Sequence, residues 1–143
     1  MLEKKLNALL ANYEVMYHKL QTYHWYVYGP TFFADHAQLE AYYEQAYKAV
    51  DAIGEAILMI GGLPVGTMSG WLEAATIKEA KEERVSPIDV YTDVRADFQT
   101  LLKMVTEIKE LAEKDECNQV TALADGLIEE LSKNVWMLGN VLA

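Results

Sequence analysis

Residues 31–64 read TFFADHAQLEAYYEQAYKAVDAIGEAILMIGGLP, and this stretch decides the fold class. No glycine or proline occurs between Phe32 and Ile53, so the stretch predicts one helix of nearly thirty residues. Thr31 is a suitable N-cap, because its hydroxyl can accept a backbone N–H of the first turn. Gly61-Gly62-Leu63-Pro64 ends the predicted helix.

Long helices are predicted on both sides of this stretch. Apolar residues recur at steps of three and four from Leu2 to Tyr28, and Gly29-Pro30 ends that helix. Ser86-Pro87 combines an N-cap with a proline at the first helical position, and it opens a third helix that continues to about Glu113. The same spacing predicts a fourth helix over Val120–Leu138, and no strand pattern competes.

The connection between the second and third helices is longer than the others. Gly66, Ser69 and Gly70 are predicted to interrupt it, and a short helix is expected over Trp71–Lys81. Four long helices joined in this way predict an all-α, ferritin-like four-helix bundle with a short extra helix in the long connection. We expect residues 1–143 to form a single domain.

Composition limits the classes of partner. The chain has 22 acidic and 12 basic residues, and its net charge of −10 has the wrong sign for binding a phosphate backbone. The lone Cys117 cannot form an internal disulfide, and no leader-like segment opens the chain, so we expect a cytoplasmic protein. The most apolar window, Ala49–Gly62, is interrupted by Asp51 and Glu55, which predicts no membrane span.

One face of the second helix carries a histidine and four acids at steps of four, four, seven and four. These residues are His36, Glu40, Glu44, Asp51 and Glu55. Such a stripe is usually a solvated surface. Here, however, Lys48 is the only basic residue between Gln21 and Lys78, and unpaired carboxylates gain most from a bound cation.

A single chain cannot bring the whole stripe to one ion, because Glu40 and Asp51 lie about 16 Å apart along a helix. A second copy, packed antiparallel about a two-fold axis between positions 45 and 46, would place His36 opposite Glu55 and Glu40 opposite Asp51. Two identical sites per dimer follow. Because acids are plentiful on this helix, a chance coincidence of spacing remains the alternative.

The histidines argue against a di-iron centre inside one subunit. None of His18, His24 and His36 follows a glutamate by three positions, which is the pattern of single-chain di-iron bundles. His24, near the end of the first helix and followed by Trp25, could add an imidazole to the shared site. The alternative, a histidine that only packs beside a tryptophan, is the commoner arrangement.

Several segments together resemble the Dps family of mini-ferritins. They are His24-Trp25-Tyr26-Val27-Tyr28-Gly29, Phe33, His36, Glu40, Asp51, Glu55, Gly61-Gly62-Leu63-Pro64 and Trp136-Met137-Leu138. The resemblance covers the whole chain and is most specific between residues 24 and 64. All five ligand positions of the family pattern are filled, and the one departure is Glu40, where the family usually has aspartate.

The resemblance implies a hollow shell of twelve subunits with ferroxidase centres across its two-fold interfaces. The implied iron ligands are His24, His36 and Glu40 of one subunit with Asp51 and Glu55 of its mate. Hydrogen peroxide would oxidise Fe(II) there, deposit a ferric mineral and protect the cell from hydroxyl radicals. Trp25 could act catalytically as an electron donor, with a packing role as the alternative.

Two further expectations concern the surface. DNA-binding members carry a basic tail, whereas this chain has none beyond its predicted helices, so we expect no direct DNA binding. Family shells admit iron through acidic three-fold pores, for which Asp125, Glu129 and Glu130 are candidates, although a solvated helix face explains each as well. The same caution applies to the acids at positions 89, 93 and 97.

The same sequence features are compatible with a second function. The same shell could serve mainly as a metal buffer, a surface antigen or a DNA-associated stress protein, with little ferroxidase turnover.

Overall fold

The computed structural model describes all 143 residues and contains five α-helices and no β-strand. The helices are α1 (Leu2–Tyr26), α2 (Phe32–Met59), α3 (Met68–Ala74), α4 (Pro87–Lys114) and α5 (Asn118–Val141). The predicted all-α bundle with a short extra helix between the second and third long helices is confirmed.

The four long helices pack around one hydrophobic core. α1 lies along α2 and α4 lies along α5, while contacts of α1 with α4 and of α2 with α5 close the bundle. Leu6, Leu20, Ile53, Leu101 and Leu131 are fully buried between them. Each such side chain stabilises the fold by about 1.5–3 kcal/mol. No helix combines the length and apolar character needed to cross a bilayer.

The buried side chain of Asn12 links the middle of α1 to the long connection by hydrogen bonds. The Asn12 side-chain oxygen accepts the backbone N–H groups of Thr76 and Ile77, at 2.8 and 2.9 Å. Its amide nitrogen donates to the Thr76 hydroxyl at 3.1 Å. Because these backbone groups are taken by a side chain from another helix, they are unavailable for helix formation.

The predicted position of the short helix was therefore wrong. α3 covers Met68–Ala74 rather than Trp71–Lys81. The Thr67 side chain accepts the N–H of Gly70 at 3.1 Å and opens the helix early, so two residues predicted to interrupt the chain, Ser69 and Gly70, lie inside it.

The end of α1 also differs from the prediction, which extended it to Tyr28. The helix stops at Tyr26, and Val27 has an extended backbone. Val85, at the end of the long connection, donates to the Tyr26 carbonyl, and Tyr28 donates to the Val85 carbonyl, both at 3.3 Å. This short pairing replaces the last half-turn of the helix.

The predicted caps of α2 and α4 have different outcomes. Ser86 caps α4 as predicted, with its hydroxyl accepting the N–H of Asp89 at 3.4 Å. Thr31 occupies the N-cap position of α2, but it makes no side-chain bond to the backbone. Its hydroxyl donates instead to Asp35 Oδ2 at 2.6 Å, because that carboxylate lies one turn away.

Candidate metal centre

The turn between α1 and α2 brings two predicted ligands together. Gly29, at φ +126°, adopts a backbone conformation that side-chain-bearing residues rarely take, and the chain reverses there. His24 in the last turn of α1 therefore meets His36 in the second turn of α2. The two imidazole rings stack with their centroids 3.5 Å apart and their planes at 14°.

Reciprocal hydrogen bonds set the orientation of this histidine pair. His24 Nδ1 lies 2.6 Å from the His36 carbonyl oxygen, and His36 Nδ1 lies 2.8 Å from the His24 carbonyl oxygen. A carbonyl oxygen only accepts, so each Nδ1 must carry the proton. In the neutral rings each Nε2 then presents a lone pair, which is the state that a metal ligand requires.

Glu40 lies beside the histidine pair, one turn after His36. Glu40 Oε1 is 3.9 Å from His24 Nε2, and the Glu40 side chain is half exposed. Tyr43 donates its hydroxyl to the same oxygen at 3.3 Å. Partial burial, followed by the Glu40 carboxylate, raises the pKa of Tyr43. Glu40 thus presents a carboxylate next to a free imidazole nitrogen.

Asp51 and Glu55 form a second group further along the exposed face of α2. A hydrogen bond with Asp51, and then its charge, raises the pKa of Glu55. The chain does not bring this carboxylate pair to the histidines, and no three side chains of the metal-binding types converge within one chain. The five predicted ligands therefore lie in two separate groups.

The remaining predicted residues lie apart from these groups. Trp25 follows His24 but points to the surface, with 62% of its area exposed, and it stacks on no other ring. Asp125 forms an ion pair with Lys109 at 2.7 Å. Glu129 is exposed and Glu130 is half-buried, and burial raises the pKa of Glu130.

Large apolar side chains flank the acidic face of α2. Phe33 is 90% exposed and Leu58 is 56% exposed. They lie at equal distances along the helix from the midpoint between residues 45 and 46. Both of these large apolar side chains are open to solvent in the single chain.

The sequence reasoning missed the residues that anchor the chain next to each histidine. Asp35, the neighbour of His36, is buried and accepts the Tyr91 hydroxyl of α4 at 2.8 Å. Tyr23, the neighbour of His24, donates its hydroxyl to Asp93, also on α4. One segment of α4 therefore anchors both histidine-bearing turns.

Lys19 of α1 also binds α4, through ion pairs with two of its aspartates. Its ammonium lies 2.9 Å from Asp93 and 2.7 Å from Asp97, and its side chain is only 3% exposed. A signal for it existed in the sequence, because Lys19 falls on the apolar face of the first helix, between Met16 and Leu20, where a lysine needs an acidic partner.

Comparison with known proteins identifies the family. A family model described as a ferritin-like domain matches residues 3–143. The curated "DNA protection during starvation protein 2" of Bacillus anthracis is 35% identical over 133 residues, which cover 93% of this chain and 90% of that protein. This chain belongs to the Dps family of ferritin-like proteins.

Solved structures agree with this assignment. A Dps protein from Vibrio cholerae, described as a member of a broad superfamily of ferritin-like diiron-carboxylate proteins, superposes with a TM-score of 0.96 at 35% identity. The alignment covers 99% of the present Dps chain and 89% of the Vibrio chain. The Helicobacter cinaedi protein CAIP has a TM-score of 0.97 at 31% identity, with both chains fully covered.

Proposed function

We propose that this Dps protein is a ferroxidase and iron-storage protein whose iron sites are shared between two subunits. His24, His36 and Glu40 of one subunit and Asp51 and Glu55 of its mate bind Fe(II) as substrate. Hydrogen peroxide accepts the electrons, and the ferric product is stored as mineral in a hollow shell of twelve subunits. The protein works in the cytoplasm and protects against oxidative stress.

The observation that carries this proposal is the reciprocal bonding of the histidine pair. Both Nδ1 atoms bond to backbone carbonyls, so both Nε2 atoms are available as ligands, and that of His24 lies 3.9 Å from Glu40 Oε1. Neutral imidazole and carboxylate are donors that suit Fe(II), and the three such groups of one subunit leave coordination positions for the acids of its mate and for oxidant. The donor set in this chain therefore fits iron.

Two-fold packing along α2 supplies the missing acids. The exposed face of the helix places His36 and Glu55, Glu40 and Asp51, and Phe33 and Leu58 symmetrically about the same midpoint. Antiparallel contact of two copies would bury the exposed phenylalanine against leucine while bringing the acids to the histidines. One axis thus satisfies both the apolar and the charged residues.

The residues then have separate roles. The histidines, held by their carbonyl partners, fix the position of the iron, and the three carboxylates neutralise its charge as it rises from Fe(II) to Fe(III). We assign Trp25 as an electron donor that quenches stray oxidising equivalents, since it lies beside His24 and reaches solvent.

Direct DNA binding is not part of the proposal. The net charge of −10 per chain repels the phosphate backbone, and twelve copies multiply that repulsion. A gel shift of plasmid DNA at neutral pH and ordinary salt would contradict this.

The test is anaerobic addition of Fe(II) followed by hydrogen peroxide, with the ferric absorbance recorded in stopped flow. We expect fast oxidation of two Fe(II) per peroxide by the wild type, and loss of the fast phase in Asp51→Ala and Glu55→Ala. Glu44→Ala is the matched control, because it removes an equal charge from the same face outside the ligand set.

Three outcomes contradict the proposal. Normal rates in both ligand variants would show that the site is elsewhere. Slow oxidation by the wild type would favour a metal buffer. A stable monomer in gel filtration, instead of about twelve times the mass of one chain, would leave each site without its second half.

A further inference from the structure

A cavity of about 350 Å³ lies between α1 and the short helix α3, and none of the proposed iron ligands lines it. The buried Val15 of α1 and the half-buried Trp71 of α3 form part of its lining. Met68 and Leu72 of α3 also line it, although 70% and 53% of their areas are exposed. The volume falls within the range of about 300–1,000 Å³ that is typical of small-molecule sites. We call this space the α1–α3 cavity.

Hydrogen bonds before and after α3 fix the outer wall of the α1–α3 cavity. Trp71 donates its indole N–H to the Val65 carbonyl at 2.7 Å, which sets the position of the ring. Asn7 of α1 accepts the backbone N–H of Val65 at 2.8 Å, and Asn12 of α1 binds the chain just after α3. Because the wall is attached to α1 on both sides of the helix, the cavity is formed without a ligand, and binding requires little reorganisation.

The polar part of the lining carries negative charge without a matching lysine or arginine. Glu14 of α1 and Glu79 of the long connection line the cavity, and no lysine or arginine does. The Glu14 side chain is only 13% exposed, and its one partner within ion-pair distance is His18, with Nε2 4.0 Å from Glu14 Oε2. Burial raises the pKa of Glu14, and His18 lowers it only in part. A carboxylate in these surroundings gains from a cation placed beside it.

The lining favours an organic ammonium group over a metal ion. Glu14, His18 and Glu79 do not converge on a position where three side chains could hold a metal. Four of the seven lining residues are apolar, so a ligand with a hydrocarbon part gains by covering them. One of the four is Trp71, and indole attracts cations more strongly than any other aromatic side chain. Carboxylates, an indole and exposed apolar side chains in one cavity suit an amine with a short apolar body.

We propose that the α1–α3 cavity binds a short aliphatic diamine or polyamine. One ammonium group of the ligand bonds to Glu14 and another to Glu79, while the methylene chain between them covers Trp71 and Leu72. The net charge of −10 per chain favours the approach of such polycations. Because the site uses none of the proposed iron ligands, this inference goes beyond the ferroxidase function and does not depend on it.

Isothermal titration calorimetry of the full-length, assembled protein tests the proposal with cadaverine as the probe. We expect saturable binding of one cadaverine per chain. Pentylamine, which has a single ammonium group on the same carbon chain, should bind more weakly, and the neutral pentanediol should not bind. This order follows because the two carboxylates recognise charge, whereas the apolar wall recognises only the methylene chain. Equal affinities for cadaverine and pentanediol would contradict the proposal.

Variants of the lining acids locate the binding. Glu14→Gln and Glu79→Gln should each weaken cadaverine binding about tenfold or more, because each removes a hydrogen bond between two charged groups. Glu73→Gln is the matched control, since Glu73 is an exposed acid of α3 that does not line the cavity, and it should bind cadaverine as the wild type does. The same affinity in Glu14→Gln and Glu73→Gln would overturn the assignment of the cavity.

Tryptophan fluorescence gives a second measurement from inside the cavity. The chain has three tryptophans, so Trp71 is the only emitter left in a variant that carries both Trp25→Phe and Trp136→Phe. Cadaverine should change the emission of Trp71 with the affinity found by calorimetry, and unchanged emission on saturation would show that the amine binds elsewhere. An assembled protein that binds no cadaverine would overturn the proposal, and so would a protein that binds Zn²⁺ through Glu14 and His18 instead. Each of these results leaves the iron assay, and with it the ferroxidase function, unaffected.

Discussion

The acids of α2 and those of α4 share a four-residue spacing but have opposite surroundings. Asp93 and Asp97 of α4 close around the buried ammonium of Lys19, at 2.9 and 2.7 Å. Asp51 and Glu55 of α2 lie exposed and close enough for Asp51 to raise the pKa of Glu55, with no cation from their own chain beside them. The first pair is complete within the fold, whereas the second gains from a cation supplied from outside.

This difference separates an acidic stripe that supports the fold from one that we propose binds metal. Spacing along a helix shows only that the carboxylates share a face. Whether a lysine from a neighbouring helix reaches them decides their role.

The largest effect on stability is expected for Lys19→Met. Removing the ammonium leaves the carboxylates of Asp93 and Asp97 facing each other without a counter-charge, which costs about 3 kcal/mol of unfolding free energy. Chemical denaturation at one fixed protein concentration measures it, because assembly also contributes to stability. Lys4→Met, an exposed lysine on the same helix, is the control. Equal stability of the two variants would mean that the α4 acids need no internal cation.

A smaller loss is expected for Tyr91→Phe. Asp35 is 7% exposed and accepts only the hydroxyls of Tyr91 and Thr31, so the variant leaves a buried carboxylate with one donor. The cost is about 1–3 kcal/mol, measured by the same denaturation. Since Asp35 precedes His36, the fast phase of iron oxidation should slow as well. Tyr28→Phe should change neither, and matching behaviour of the two variants would refute the anchoring role of α4.

Neutralising an acid of the α2 stripe should leave the unfolding free energy nearly unchanged, whereas neutralising an acid of α4 should lower it. Asp51→Asn removes like-charge repulsion from an exposed pair, so the unfolding free energy should rise slightly or stay within about 0.5 kcal/mol. The isosteric Asp93→Asn should be clearly destabilising, because it weakens the bonds with Lys19 and Tyr23. Denaturation of both variants without metal measures the difference. The comparison fails if Asp51→Asn proves the more destabilising of the two.

The sequence predicted what depends on one helix and missed what depends on contacts between helices. Apolar spacing located four long helices, and the face of α2 that carries the proposed ligands followed from the same periodicity. The position of α3 was missed because Thr67 opens the helix and Asn12, from α1, takes the backbone N–H groups of Thr76 and Ile77.

The same distinction holds for the candidate site. The spacing from His36 to Glu55 is visible along one helix, but the stacking of His24 on His36 depends on the reversal at Gly29. The roles of Tyr91 and Lys19 depend on bonds to other helices, which no local pattern encodes. Sharing of the ligands between two subunits remains a prediction.

Glu130 of α5 is intermediate between the exposed acids of α2 and the lysine-paired acids of α4. It is half-buried and has one lysine nearby. Burial raises the pKa of Glu130, and the Lys48 ammonium lowers it only in part. The raised pKa means that the folded chain holds this proton more tightly than the unfolded chain does. The unfolding free energy contributed by Glu130 is therefore lost as the pH rises through the ordinary carboxyl pKa to the raised one.

Glu130→Gln should accordingly raise the unfolding free energy slightly at neutral pH. The gain should vanish in acid, where Glu130 is protonated in both states, and denaturation at the two pH values measures it. Glu129→Gln, on the exposed neighbour, is the control. If Glu130→Gln instead destabilised the protein at neutral pH, attraction to Lys48 would outweigh burial, and Glu130 would belong with Asp93 and Asp97 among the acids that the fold itself completes.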